Sequence, residues 1–322
     1  MRRRDLAWIL AGAAAASPIV ARAQPKQVRR VGALILGNAG AADAGFQKVM
    51  REGLSKAGYL EGRDVLFDFR SAEGRLDRLP GLAAELVAEK PDVIFALYTP
   101  CAHAVQQATR QIPIVAIVAN LVETGMIASL ARPGGNMTGV SLMAAEAHGK
   151  CVELLGDMLP SVRKIAAMGN ASDPFMNVFL EKVHLSGKAT GIEIEVVTVR
   201  SSDEITAAFA TIAKTGAGAL VMQGSLPSRT VAELALGQRL PAATFTRAFA
   251  EVGGLMSYGS IAIDSFQRGV YFVVSILRGG KPAEMPAEQP TNFELVINAR
   301  TARTLGITVP TALLARADEV IE

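Results

Sequence analysis

The chain is poor in cysteine, tryptophan and histidine. Of its 322 residues, two are cysteine (Cys101 and Cys151), one is tryptophan (Trp8) and three are histidine (His103, His148 and His184). One possible cysteine pair is no disulfide framework, so stability must come from packed cores rather than cross-links. The element pattern read below puts the two cysteines in different parts of the fold, which predicts that they do not pair. The histidines are scattered without metal-ligand spacing; each reads as a helix-surface or packing residue, and no metal site is expected. Catalytic signatures are missing as well. The sequence has no Gly-x-Ser-x-Gly elbow, no Walker A loop and no His-Glu-x-x-His. No catalytic residue and no cofactor are therefore expected. Beyond the N-terminus there is no long apolar run, although half the residues are hydrophobic, so no membrane span is expected.

The one apolar run lies at 6–16, behind Arg2, Arg3 and Arg4. Ser17 and Pro18 break it, and Ala21-Arg22-Ala23 offers the small residues a signal peptidase needs before Gln24. At 11 residues it is about half of what spans a bilayer. Residues 1–23 thus read as an export signal cleaved after Ala23. Gln24 is not a cysteine, so nothing suggests a lipid anchor, and the expected location is the periplasm. The arginine cluster hints at twin-arginine export, but Asp5 and Leu6 stand where an apolar pair is usual, so the general secretory route stays open. The signal also carries the charge excess. The whole chain has 33 Lys+Arg and 30 Asp+Glu, and removing residues 1–23 leaves 29 of each. A charge-balanced chain without a Lys/Arg cluster argues against a nucleic-acid partner.

From Val31 onward short apolar runs alternate with amphipathic stretches. Strands are predicted at 31–36, 65–70, 92–98 and 114–119, and helices at 43–57, 78–88 and 102–110. Near Arg132-Pro133-Gly134-Gly135-Asn136 the rhythm pauses and then restarts. Strands follow at 164–169, 192–199, 219–222 and 242–245, with helices at 175–190, 203–214 and 228–239. Continuous β-rich runs separated by helices are what a buried parallel sheet requires. The tail adds strands at 255–258 and 293–298 and helices at 261–277 and 299–305, so the chain is expected to cross between units more than once. The expected fold class is α/β, with two doubly wound parallel-sheet lobes joined by a multi-strand hinge. One lobe spans 28–139 plus about 260–285, the other 140–257 plus about 286–322.

In such sheets ligands bind at the strand C-termini. The residues there define a candidate small-molecule site. Gly37-Asn38-Ala39-Gly40 follows the first strand; it could bring backbone N–H groups near an anion or be a plain turn. Tyr98 and Thr99 end the third strand, and Cys101 follows as a cleft-wall or N-terminal packing residue. Asn120 ends the fourth strand. Asn170 and Asp173 follow the first strand of the second unit, Gln223 and Ser225 its third, and Tyr258 adjoins Gly259 near a crossover. Such groups suit a small polar or zwitterionic ligand with an apolar part. Each polar member is equally a helix cap or turn former by default.

Several longer phrases carry a family resemblance. The stretch Ser129-Leu-Ala-Arg-Pro-Gly-Gly-Asn-Met-Thr-Gly139 strongly resembles a signature of one family of ABC-transporter substrate-binding proteins. These are type I periplasmic binding proteins related to receptors for tryptophan and branched-chain amino acids. Gly58-Tyr-Leu-Glu-Gly-Arg-Asp64, Pro113-Ile-Val115, Gly253-Gly-Leu-Met-Ser-Tyr-Gly259, Glu288-Gln-Pro290 and Ala315-Arg-Ala-Asp318 extend the likeness along the chain. These motifs look structural: Pro133–Asn136 is expected to stop a helix and turn the chain into the crossover, with glycine where φ is positive. Where many members have Asp-Pro-Val, this chain has Asn120-Leu121-Val122, so the ligand's charge is not inherited from the family. The resemblance implies a monomer that captures a small solute, an amino acid or an aromatic or organic acid, and delivers it to an ABC permease. The alternatives are a ligand sensor for a receptor kinase and an enzyme on the same scaffold.

Overall fold

The computed structural model describes residues 28–37 and 41–322. The export-signal reading of residues 1–23 and the candidate Asn38 lie outside the described residues. The first unit comprises β1 (Arg29–Ile35), α1 (Ala41–Lys56), β2 (Val65–Ser71), α2 (Leu79–Ala88), β3 (Val93–Leu97), α3 (Thr99–Ala108), β4 (Ile114–Val118) and β5 (Met137–Ser141). The second runs through α4 (Ala144–Met158), β6 (Lys164–Asn170), α5 (Met176–Thr190), β7 (Glu193–Val199), α6 (Ile205–Thr215), β8 (Ala219–Met222), α7 (Ser228–Gly237), β9 (Ala242–Thr244), α8 (Arg247–Glu251) and β10 (Met256–Ser260). The tail consists of α9 (Ala262–Leu277), β11 (Phe293–Asn298), α10 (Ala299–Leu305), α11 (Thr311–Leu314) and β12 (Glu319–Ile321).

Two sheets form, in the orders β2-β1-β3-β4-β5 and β12-β11-β10-β9-β8-β6-β7. All pairings are parallel except β10 with β11. The apolar strands are continuous because both faces of each sheet are covered. Along β1, Val31, Ala33 and Ile35 pack toward α1 and α9, while Leu34 and, just past the strand, Leu36 pack toward α2 and α3. In β6, Ile165 and Ala167 face α4 and α5, and Ala166 and Met168 face α6 and α7. The period of two in a strand thus feeds four separate helix–sheet cores.

The chain passes between the sheets three times: at Leu142–Met143 between β5 and α4, at Ile261 between β10 and α9, and between Glu288 and β11. Helix α9 packs on α1 and on β3 to β5, so it returns to the first sheet. Glu288 is stitched to β5 before the last crossing: its N–H donates to Gly139 O at 2.9 Å, and Ser141 N–H donates to its carbonyl at 2.8 Å. Glycine is required next to these crossings. A Cβ on Gly139, at φ +144°, would lie 1.9 Å from Ala116 O, and one on Gly259 would lie 1.9 Å from Phe245 O.

Two expectations are corrected, and two elements appear that the sequence pattern did not mark. No helix precedes Pro133, because residues 119–136 form turns and bends. Pro133–Asn136 instead opens β5: Gly134 takes φ +79°, and Asn136 Nδ2 donates to the carbonyls of Thr109 and Ile112, tying the α3–β4 turn to the start of β5. The strand β5 and the helix α4 carried no rhythm that marked them, since β5 includes Thr138, Gly139 and Ser141. Finally α3 starts at Thr99 rather than 102, with Pro100 in its first turn, where a missing N–H costs nothing.

Candidate functional site

The strand C-termini of both sheets face one another across a cleft, and a cavity of about 100 Å³ lies between them. Its first-lobe wall includes Leu97 at the end of β3, Tyr98 and Thr99 where α3 begins, Ile117 to Ala119 at and just past the end of β4, and Phe266 from α9. The second lobe contributes Asp173 and Phe175 after β6, Gln223 to Ser225 after β8, and Phe245 to Ala248 after β9. Most of the surface is apolar, with a few polar groups converging on it, as small-molecule sites usually are. Tyr98 holds φ +78° and ψ 149°, a conformation costly for a residue with a Cβ and one that clusters at ligand sites.

Asp173 is the carboxylate of this wall, and it is 5% exposed. Its Oδ1 accepts the Phe175 N–H at 2.9 Å, and the Ser225 hydroxyl also bonds its side chain. Burial dominates those two bonds and pushes its pKa up to about 6. Gln223 lines the same cavity, one residue past β8, the strand that pairs with β6. Gln223 Oε1 accepts the Asn170 N–H at 2.8 Å, which fixes the amide so that Nε2 is the donor end. Arg247 is the cation of the lining, but its three nitrogens are engaged. Nε donates to Glu251 at 2.7 Å, one terminal nitrogen to Glu294 at 3.1 Å, and the other to both Glu319 oxygens at 2.7 Å. Those carboxylates raise its pKa and leave three negative charges around one positive.

Behind the second-lobe wall lies His148, fully buried on α4 between Phe175, Phe179 and Phe245. Its Nδ1 lies 2.5 Å from Ala144 O and its Nε2 3.1 Å from Met222 O. Burial lowers its pKa to about 4, against the pull of both carbonyls, so the ring is neutral at pH 7. The imidazole therefore holds two aromatic cavity residues against α4. Among the described residues no group of three or more His, Cys, Asp and Glu is placed to hold a metal ion.

Of the candidates named from the strand ends, Tyr98, Thr99, Asp173, Gln223 and Ser225 line the cavity, whereas Cys101, Asn120, Asn170 and Tyr258 do not. Cys101 is buried against Ala102 and Leu36 in the core beneath α3. Asn120 closes its own turn, accepting the Val122 and Glu123 N–H groups and donating to the Glu123 carboxylate at 2.9 Å. Asn170 Oδ1 likewise accepts Ser172 N–H at 2.8 Å. Tyr258 stacks on Phe293 across the antiparallel β10–β11 pair, with ring centroids 5.9 Å apart. These four are the cap, turn and packing alternatives that the residue types allowed. Phe175, Phe245 and Thr246 also sit at strand ends, so the rule that found Asp173 reaches them. Phe266 comes from a helix of the tail, and no local signal in the sequence places it in the cleft. The cysteines lie in different lobes and are not bonded to each other.

A profile of the family described as ABC transporter substrate binding protein matches residues 39–321. The chain belongs to that family. A tyrosine-binding protein of Clostridioides difficile is 26% identical over 272 residues, covering 82% of this chain and 76% of that one. Among solved structures, a conserved domain protein of Vibrio cholerae superposes with a TM-score of 0.84 at 28% identity, over 91% of this chain and 100% of the other. An ABC domain from Streptococcus pneumonia in complex with L-Trp gives 0.83 at 26% identity, over 92% and 100%. The substrate-binding family and the two-lobed α/β fold are therefore established for this chain. Of these relatives, one is named for binding tyrosine and one was solved with L-Trp bound. Among the described residues no helix is long and apolar enough to cross a membrane.

Proposed function

We propose that this chain captures an amine-bearing solute with an apolar, aromatic-sized body outside the cytoplasmic membrane and delivers it to an ABC permease. The observation that carries the reading is Asp173, a carboxylate buried in an apolar cleft that, among the described residues, presents no unengaged cation. An ionised carboxylate there is costly until an opposite charge arrives. A ligand ammonium supplies that charge, and Phe175, Phe245 and Phe266 offer faces for the rest of the molecule. An organic anion finds the opposite: Asp173 repels it, and Arg247 is spent on three glutamates. Relatives named for tyrosine and solved with L-Trp are consistent with this chemistry.

Both lobes line the cavity, so a bound solute gains contacts to both only when they close on it. Binding thereby favours the closed form, and the three crossings are where the chain flexes. The closed form is what the permease receives. Asp173, Gln223, Ser225, Tyr98 and Thr99 are the contacts of this reading. Export through residues 1–23, cleavage after Ala23 and release into the periplasm as a monomer belong to the same proposal.

The test is a thermal-shift and calorimetric screen of the purified protein against amino acids, aromatic amines and organic acids. A solute at a hundredfold excess over its Kd stabilises the protein by about 2.7 kcal/mol. Stabilisation by amino acids or amines is expected; stabilisation by organic acids alone would overturn the reading. N-terminal sequencing of protein recovered from the periplasmic fraction checks the cleavage site.

A further inference from the structure

Gln223 is 1% exposed, and among the described residues its Nε2 has no hydrogen-bond partner. The amide cannot flip to relieve this, because Oε1 is held by the Asn170 N–H at 2.8 Å, and exchanging the ends would set donor against donor. A buried donor without an acceptor is expensive, and this one belongs to a residue of the cavity wall. Asp173 lines the same cavity. The two residues come from the ends of paired strands β6 and β8, and Ser225, two positions after Gln223, bonds the Asp173 side chain. The second-lobe wall of one cavity thus offers both an anionic acceptor and a neutral donor. Thr246 Oγ1, at the next strand end, is likewise buried without a partner.

We propose that Gln223 determines specificity by donating from Nε2 to an oxygen of the solute that neighbours its cationic nitrogen, so that the site selects an α-amino acid over the bare amine. The inference rests on the reading of Asp173 as the ammonium acceptor and adds the group that recognises the carboxylate. A neutral donor suits that position. A lysine or arginine there would pair with Asp173 and cancel its attraction for the ammonium, whereas an amide N–H meets a carboxylate oxygen and leaves Asp173 unpaired. A site built around a buried donor rejects a ligand that leaves the donor unmet far more strongly than an apolar pocket rejects a missing methylene.

The experiment compares L-tyrosine with tyramine, which lacks only the carboxylate, on wild-type protein, Gln223→Glu and Gln223→Met. Gln223→Glu keeps an oxygen for Asn170 N–H and removes the donor; Gln223→Met removes the donor without adding charge. Thermal melting of each variant confirms that it folds, and calorimetry reads affinity. Wild-type protein is expected to prefer tyrosine. In both variants tyrosine should weaken roughly ten- to hundredfold while tyramine does not weaken in step, so that the preference collapses. An unchanged tyrosine-to-tyramine ratio in Gln223→Met overturns the assignment. If wild-type protein takes neither probe, the aromatic-amine reading of the cleft is what fails. The solute that a broad panel then identifies still decides on Gln223: the assignment falls if that solute has no acceptor oxygen or keeps its affinity in Gln223→Met.

Discussion

Replacing Asp173 with asparagine should stabilise the empty protein while abolishing its affinity for amines. The magnitude follows from burial. The folded protein raises the Asp173 pKa from 3.8 to about 6, roughly two units at about 1.4 kcal/mol each. Because the folded value is the higher one, ionisation opposes folding: the penalty is absent below the unfolded value, grows as pH rises from about 4 to 6, and is complete above that. At pH 8 it is about 3 kcal/mol, an order-of-magnitude figure that the asparagine avoids. The substitution keeps the local geometry, since its Oδ1 can still accept the Phe175 N–H and the Ser225 hydroxyl. Melting curves of the two proteins without solute should therefore separate by roughly 5 °C or more at pH 8 and converge toward pH 4. Calorimetry at pH 8 should find amine binding lost in the variant. In the parent, affinity should fall up to tenfold per unit as pH drops below about 6, because the solute must then displace a proton from Asp173. A variant that melts lower than the parent at pH 8, or that binds the same solutes equally well, would refute the reasoning.

Three further outcomes are expected. His148 has its pKa lowered to about 4 by burial, so its neutral form contributes stability above the unfolded value of 6.5 that is lost as pH falls toward 4. His148→Gln should therefore lose about 3 kcal/mol less than the parent over that interval, measured by urea unfolding at several pH values; identical pH slopes would contradict the neutral assignment. Gly139→Ala and Gly259→Ala each drive a Cβ to within 1.9 Å of a backbone oxygen, and each should cost roughly 3 kcal/mol or more by chemical denaturation. A loss under about 1 kcal/mol would mean that the strands beside the crossings yield easily. The Cys151 thiol is pushed up to about 12 by burial and donates to Thr244 O at 3.3 Å. It should resist iodoacetamide in the folded protein and react only on unfolding, as peptide mass mapping would register.

The sequence by itself determined the elements that periodicity controls. Continuous apolar runs such as Ile114–Val118 and Ala219–Met222 are buried on both sides of a sheet, and their shortness, turn signals and alternation with amphipathic helices set strand positions and the α/β class. Where packing rather than period set the element, the sequence was silent. β5 pairs with β4 although it carries Thr138, Gly139 and Ser141, because Gly139 lets the two backbones approach and Glu288 completes its other side. At the cleft the strand-end rule reached Asp173, Gln223 and Ser225, since topology gathers strand C-termini wherever a parallel sheet is doubly wound. It could not separate them from Asn120 and Asn170, which are likewise small or medium polar residues at or just past a strand C-terminus. Own-turn bonding does not make that choice, since Asp173 accepts the Phe175 N–H just as Asn170 accepts the Ser172 N–H; it depends on which strand ends the opposite lobe covers. Phe266 reaches the cavity only because α9 returns to the first sheet after β10, a crossing that no local pattern encodes. The raised pKa of Asp173 and the Nε2 of Gln223, without a partner among the described residues, have the same origin: both arise from burial, and burial is a property of what the rest of the chain places around a residue.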